Sequence, residues 1–356
     1  MNLVDVNYIN KNDKALVELF LSQTPTKKYI LGINKLTKSV LKHIEVDGII
    51  DDFTRVQRSR KKEIYKIEDI PNDALILWTA TGSPLEVKSK LDKMGFKHIS
   101  YLALCKYSSL DLVHPPFIMD FQKDYMDNSE KYHHIYNLLA DTKSKEIFQK
   151  VINFKISFDY NFMEGFTNDH KGQYFDKEII PKIKNISFVD GGGYVGDTAS
   201  EVIANYPDFK KIYLIEPISE NLRIAKRDLA TYENIEFLNC GVSNKKETLY
   251  FNEEKSFSTI YGKGTQSVEV DTIDNLIKES VDFIKLDIEG AEQDAIDGAR
   301  ETIQKHRPIL AICIYHKAED WYKIPQKVLE IEKNYHIYLR HYMEGIFETV
   351  IYFIPK

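Results

Sequence analysis

Cysteine is scarce in this sequence: Cys105, Cys240 and Cys313 are the only three among 356 residues. An odd count with no C-x-x-C spacing argues against a disulfide framework and against a thiolate zinc site, and it points to a reducing, cytoplasmic home. Excess positive charge is also lacking. Lys and Arg number 48 against 54 Asp and Glu, for a formal net charge of −6, so the chain as a whole has no electrostatic attraction for nucleic acid or anionic lipid. No stretch approaches the roughly 20 apolar residues that a membrane helix requires. The opening MNLVDVNYINKND has no basic region followed by an apolar run and does not read as a signal peptide. Internal repeats and low-complexity segments are absent.

What is present is the composition of a soluble globular protein, with 43% hydrophobic and 29% charged residues and an ample supply of Tyr (22) and Phe (19). The length exceeds one ordinary core and suits two domains. Strand-like runs at 27–31, 48–50, 63–65, 74–79 and 98–104 alternate with helical spacing at 35–44, 67–70 and 86–94. That alternation predicts a small parallel sheet in an N-terminal α/β domain, residues 1–113. Residues 114–172 lose the β signal and read as a helical connector, with helices at 132–139 and 145–158. From residue 173 to 356 the alternation returns. Strands are predicted at 187–190, 212–216, 235–239, 283–287 and 309–315, and helices at 198–205, 220–229, 291–305 and 325–333. Runs at 337–340 and 349–354, joined by a link too short for a crossover helix, should pair antiparallel.

FVDGGGYVGDT (188–198) joins a buried strand to a helix. Its glycines Gly191, Gly192, Gly193 and Gly196 remove side chains that would keep a ligand off the backbone. Asp190 ends that strand and Glu216 ends the next, in IYLIEP. A carboxylate there can accept hydrogen bonds from ribose hydroxyls. The spacing fits GxGxxG poorly as a pyrophosphate loop, and an acid-flanked loop suits a nucleoside without phosphate.

These residues resemble a known family. DGGGYVGDT, IEP at 215–217, FIKLDIEGAE at 283–292, PILAICIYHKAEDWYKIP at 308–325, RHY at 340–342 and ETVIYF at 348–353 are similar, in order, to the FkbM-type methyltransferases. Tyr194 stands where that family's loop has Asn or Asp. The resemblance implies a seven-stranded Rossmann-like sheet with an antiparallel last strand, S-adenosylmethionine as methyl donor, and an oxygen acceptor, often on a sugar. It also implies Asp190 and Gly191 against the methionine part, Glu216 on the ribose, and Cys240, Gly241, Val242 and Ser243 along the adenine.

In an open α/β sheet the ligand lies beyond the carboxyl ends of the strands, so the polar residues there are the candidates. Asp287 and Glu289 end one strand, His316 the next, Arg340 and His341 another. His316 is the expected proton acceptor because an ordinary imidazole pKa suits the task, with Asp287 orienting it. Glu289, Arg340 and His341 are expected to bind the acceptor, although Arg340 also suits a structural pair with a carboxylate such as Glu348. Asp287, Glu289 and His316 together would also suit Mg²⁺ or Mn²⁺.

In the N-terminal domain, YILGINKLTKSVLKH keeps Gly32 of a nucleotide loop, and Asp51 and Asp52 end the following strand. Residues 28–104 resemble the Rossmann-like domain of some nucleotide-sugar-modifying enzymes, which implies a nucleotide-linked sugar on Gly32, Asp51 and Asp52. The resulting expectation is a sugar O-methyltransferase of surface-polysaccharide (capsule) biosynthesis. A nicotinamide-dependent sugar oxidoreductase and a non-catalytic module binding adenosylmethionine or a nucleotide sugar are the alternatives, and self-association into a homo-oligomer is allowed.

Overall fold

The computed structural model describes residues 1–54, 58–59, 62–251 and 266–356. Its N-terminal sheet is built from β1 (Lys28–Leu31), β2 (Gly48–Ile50), β3 (Arg58–Ser59), β4 (Lys62–Tyr65), β5 (Leu75–Trp78) and β6 (Lys97–Ser100). Five of these run parallel in the order β4-β2-β1-β5-β6, with β3 antiparallel at the outer edge of β4. The central β5, LILW, is buried at every position, as expected of a parallel strand covered on both faces.

The second sheet has seven strands: β7 (Ser187–Gly191), β8 (Lys211–Ile215), β9 (Ile235–Leu238), β13 (Phe283–Leu286), β14 (Ile309–Cys313), β15 (Tyr335–His341) and β16 (Thr349–Pro355). Their order is β15-β16-β14-β13-β7-β8-β9, and β16 inserts antiparallel beside β14 while β15 pairs antiparallel with it. This is the Rossmann-like seven-stranded architecture with the antiparallel closing strands that the sequence predicts. Between β9 and β13, β10 (Gly241–Val242), β11 (Glu247–Phe251) and β12 (Gln266–Asp271) form a small extra sheet in the order β10-β12-β11, which periodicity alone did not reveal.

Helices Phe121–Leu138 and Thr142–Ser157 fill the connector. One continuous apolar cluster runs from Tyr29, Ile76 and Trp78 through Phe148 and Val151 to Ile284, Trp321 and Phe353. The connector helices are therefore a shared core layer between the two sheets.

Several boundaries differ from expectation for identifiable reasons. The run at 98–104 is divided: Ser100 ends β6, and its hydroxyl caps a helix, Tyr101–Tyr107, by accepting from the Ala103 N–H. The helix expected over 291–305 is two, Glu292–Asp297 and Arg300–His306. They part at Gly298, where an added Cβ would lie 2.0 Å from the Ser243 carbonyl oxygen. The last long helix begins before Pro325, spanning Asp320–Ile331 with the proline inside. A helix at Lys11–Leu21, capped by the Asn10 side chain, was not anticipated. Among the described residues no helix is long and apolar enough to cross a membrane.

Candidate active site

Beyond the carboxyl ends of β7, β8 and β13 lies a cleft of about 860 Å³. Its floor is the turn after β7. Gly192, at φ +76°, could not carry a side chain, because a Cβ would sit 1.9 Å from the Asp287 carbonyl oxygen. Added Cβ atoms at Gly191, Gly193 and Gly196 would meet Leu286, Leu214 and Leu229 at 2.7, 2.5 and 2.9 Å. These glycines thus let the turn pack onto neighbouring strands and helix, whereas the sequence reading had them clear space for a ligand. Of the four, only Gly192 lines the cleft.

Four N–H groups of this turn are already used. Gly192 and Gly193 both donate to the Ile215 carbonyl at 3.0 Å, Gly196 to Gly193 at 2.8 Å, and Tyr194 to Glu216 Oε2 at 3.0 Å. A pyrophosphate depends on free N–H groups in such a turn. The first helical residue here is moreover an acid, Asp197, which also lines the cleft. Both features disfavour a dinucleotide and suit a phosphate-free nucleoside.

Glu216 is 5% exposed and reaches the cleft. Its Oε1 accepts from the Ile218 N–H at 2.9 Å and from Asn221 at 3.2 Å. Burial raises its pKa, against which these hydrogen bonds pull. Oε1 is thereby saturated, while Oε2, which accepts only from the Tyr194 N–H, retains a lone pair for a ligand hydroxyl. Gly241, Val242 and Ser243 line the far wall, and Leu249, Val268 and Val270 from the small extra sheet complete it. Cys240 packs half-buried behind this wall and is not part of the lining.

Asp190 is displaced from its expected role. Its carboxylate is fully buried below the turn, where Lys285 donates to Oδ1 at 3.0 Å and to the Gly192 carbonyl at 2.8 Å. Burial pushes Asp190 up to about 6. Burial would lower Lys285, but Asp190 and Asp287 outweigh it and hold the ammonium charged. The sequence reading missed Lys285, although a lysine inside the apolar run FIKLD signals a buried partner.

At the end of β13, Asp287 is 22% exposed into the cleft. Its Oδ2 accepts from Tyr174 OH at 3.0 Å and its Oδ1 from Tyr315 OH at 3.2 Å. Burial would raise its pKa, yet Lys285 and His316 bring it below the ordinary carboxylate value. Glu289 also lines the cleft, held at φ +56°.

His316 stands behind these acids and does not line the cleft. Its side chain is fully enclosed, with Nδ1 3.0 Å from Glu292 Oε1 and Nε2 3.5 Å from Asp287 Oδ1 and 3.9 Å from Glu289 Oε2. Burial opposes its protonation, but Glu292 and the other acids raise it to about 9. Enclosed behind these acids, the imidazole has no access to a hydroxyl in the cleft, so it stands as an anchor among three carboxylates where the sequence reading expected a general base. The potential ligand atoms that lie within 4.8 Å of one another here belong to Asp287, Glu292 and His316, so Glu289 is not part of the grouping that the sequence reading expected.

Arg340 and His341 lie away from the cleft. The Arg340 guanidinium pairs with Asp141 and Asp176, each at 2.8 Å, and donates to Ser144 Oγ at 2.9 Å, tying β15 to the connector. His341 is buried, with Nδ1 2.9 Å from Thr349 Oγ1, and burial pushes its pKa down to about 3. Glu348, weighed earlier as a partner for Arg340, instead lines the cleft with Gln173 donating to its Oε2.

In the N-terminal unit the turn at Gly32 is closed by its own side chains. Asn34 Nδ2 donates to the Thr79 carbonyl and hydroxyl, Thr37 Oγ1 to the Gly32 carbonyl, and Thr79 Oγ1 to the Leu31 carbonyl. A Cβ at Gly32 would lie 2.7 Å from Thr79 Oγ1. Asp51 caps the Phe53 and Thr54 N–H groups, and Asp52 is held by Lys90 and the Ile67 N–H. Asn34, Thr37 and Thr79 thus bond to the backbone of the turn and to one another, and Asp51 and Asp52 are likewise engaged within the chain.

Residues 190–344 match the family model described as Methyltransferase FkbM domain. The crystal structure of a methyltransferase FkbM from Methylobacillus flagellatus KT is similar over 97% of this chain and 94% of that one, with TM-score 0.78 and 23% identity. A putative rRNA methylase from Clostridium thermocellum (TM-score 0.34, 9% identity, 55% of this chain and 92% of that one) is a far weaker likeness. So is a SAM-dependent methyltransferase from Aquifex aeolicus (TM-score 0.33, 15% identity, 56% and 100%), and neither bears on this chain's chemistry. No curated protein matches. Residues 190–344 thus match the FkbM methyltransferase domain model, a family that implies methyl transfer from S-adenosylmethionine, on a fold that the chain shares almost end to end with a solved FkbM methyltransferase.

Proposed function

We propose that this protein transfers a methyl group from S-adenosylmethionine to a hydroxyl oxygen of a sugar, carried on a nucleotide or a glycan precursor, in the biosynthesis of a surface polysaccharide. On this reading residues 173–356 are the methyltransferase unit, 1–113 a docked front domain and 114–172 the connector between them. The observation that carries the reading is one cleft whose lining joins Gly192, Glu216 and the apolar wall of Val242, Val268 and Val270 to the acids Asp287, Glu289 and Glu348.

The donor fits this lining by chemistry. Glu216 Oε2 offers an acceptor site to a ribose hydroxyl, the apolar wall suits a flat base, and the acids suit a sulfonium and an α-ammonium group. When bound, adenosylmethionine supplies an activated methyl group, so the protein's task is to align the acceptor and receive its proton. Asp287, fixed by two tyrosine hydroxyls, orients the polar end of the cleft, and His316 holds Asp287 and Glu289 in place.

Mass spectrometry after incubation with methyl-labelled adenosylmethionine and a pool of nucleotide sugars tests the reading. One pool member is expected to gain a single labelled methyl group. Label that appears on no sugar, or on nitrogen, would reject the acceptor class.

A further inference from the structure

The methyl-transfer reading leaves one group to be found, the proton acceptor, since His316 is enclosed behind the acids. We propose that Glu348, a residue the sequence reading assigned no chemistry, takes the proton of the acceptor hydroxyl. The inference rests on the proposed methyl transfer and names the catalytic base of that same cleft.

Geometry comes first. Asp287 and Glu348 both line the cleft, with carboxylate oxygens within 4.8 Å of one another and of Cys313 Sγ. Two carboxylates so close do not both ionise readily, and their surroundings decide which one keeps its charge. Asp287 accepts from Tyr174 and Tyr315 on separate oxygens and lies beside Lys285 and His316, so it is the fixed anion. Glu348 has one donor, Gln173 to Oε2. Its Oε1 has no hydrogen bond among the described residues, and it belongs to a side chain that faces the cleft. Burial first, and Asp287 second, raise Glu348 to about 7, with Gln173, His316 and Lys285 pulling the other way. That is the range in which a general base works best at neutral pH.

The backbone is committed to this placement. Glu348 sits at φ +61° in the turn between β15 and β16, and its carbonyl accepts from the Tyr342 N–H at 3.0 Å. The same turn carries Glu344, whose Oε2 accepts from the Leu85 and Glu86 N–H groups at 2.8 and 3.0 Å. Those groups open the helix Pro84–Lys93 of the N-terminal sheet. The front domain thus braces the turn that presents Glu348, and Glu344 is a positioning residue.

The step balances. A lone pair of the acceptor oxygen forms the new C–O bond to the methyl carbon. The S–C bond breaks with its electron pair left on sulfur, so a sulfonium becomes a neutral thioether. The hydroxyl proton passes to Glu348 Oε1 and then to water.

Two measurements on the full chain decide the proposal. In protein labelled with ¹³C at the glutamate carboxyl, wild type is expected to show one carboxyl that titrates near neutral pH and that Glu348→Gln lacks. In methyl transfer from labelled adenosylmethionine to the nucleotide-sugar pool, Glu348→Gln is expected to lose about 10²-fold or more in rate, together with the near-neutral limb of the pH profile. Glu348→Asp should recover part of the rate. A Glu348 that titrates with the ordinary glutamates, or a Glu348→Gln protein with wild-type rate and pH profile, overturns the proposal. If Glu348→Gln does not fold, Gln173→Leu replaces it: loss of that donor should shift the near-neutral titration upward, and an unmoved titration counts against the assignment. If wild type methylates no sugar, the acceptor class fails while the carboxyl titration still decides Glu348.

Discussion

At Gly32 and at Gly192 the chain makes the same local move: a buried parallel strand ends, a glycine at positive φ turns it, and a helix begins. The outcomes differ because of what stands opposite. At Gly192 the neighbour is the backbone of Asp287, and the side chains beyond it are held back by tyrosines and lysine, so a cleft remains. At Gly32 the neighbours are Asn34, Thr37 and Thr79, whose polar atoms close the turn on itself. A nucleotide-type turn is therefore a backbone shape, and whether it binds depends on side chains elsewhere in the sequence.

The comparison breaks most directly at the glycines. Gly192→Ala should abolish calorimetric binding of adenosylhomocysteine, because a Cβ 1.9 Å from a backbone oxygen forces the turn apart. Gly32→Ala should lower the melting temperature, by the order of 1–3 kcal/mol of strain and contact, and leave that binding intact. Equal losses of binding in the two variants would mean that the N-terminal turn takes part in the donor site.

An effect on stability alone is expected beneath the open turn. Lys285→Met leaves Asp190 buried and unpaired, and chemical denaturation should show a loss of about 3–5 kcal/mol. Adding Asp190→Asn should restore most of it, since the uncompensated charge is then gone. A double variant as unstable as the single one would place the loss in packing.

A further test separates two buried histidines of the C-terminal unit by sign. His316 is raised to about 9, so its charged form contributes stability that is complete below its unfolded pKa near 6.5 and disappears as pH rises through 9. His341 is lowered to about 3, so its neutral form contributes stability present above about 6.5 and lost as pH falls toward 3. Within each window the slope approaches about 1.4 kcal/mol per pH unit for one proton. Denaturation midpoints of His316→Gln and His341→Asn, each compared with wild type across pH 4 to 10, should therefore converge on wild type at opposite ends. Convergence at the same end would contradict one of the two environments.

The residues show how far local pattern reaches. Strand and helix alternation, the antiparallel pairing of β15 with β16, and the positions of Gly192, Glu216, Asp287 and Glu289 at strand ends could be read from neighbours within a few residues. Other features depended on partners far along the chain. Tyr174 to Asp287 spans 113 residues, Gln173 to Glu348 spans 175, and Arg340 to Asp141 spans 199. No spacing in the sequence announces such pairs, which is why Arg340 and His341 looked like acceptor contacts and Glu348 did not.

By itself, then, the sequence determined two α/β units, a glycine turn followed by an acid at the next strand end, and the family of residues 190–344, because hydrophobic period and turn chemistry act over short separations. Only the tertiary structure decided which turn stays open, that His316 is an enclosed cation, and that Glu348 faces Asp287 across the cleft. Burial and the approach of distant charges set those properties, and both exist only once the chain has folded.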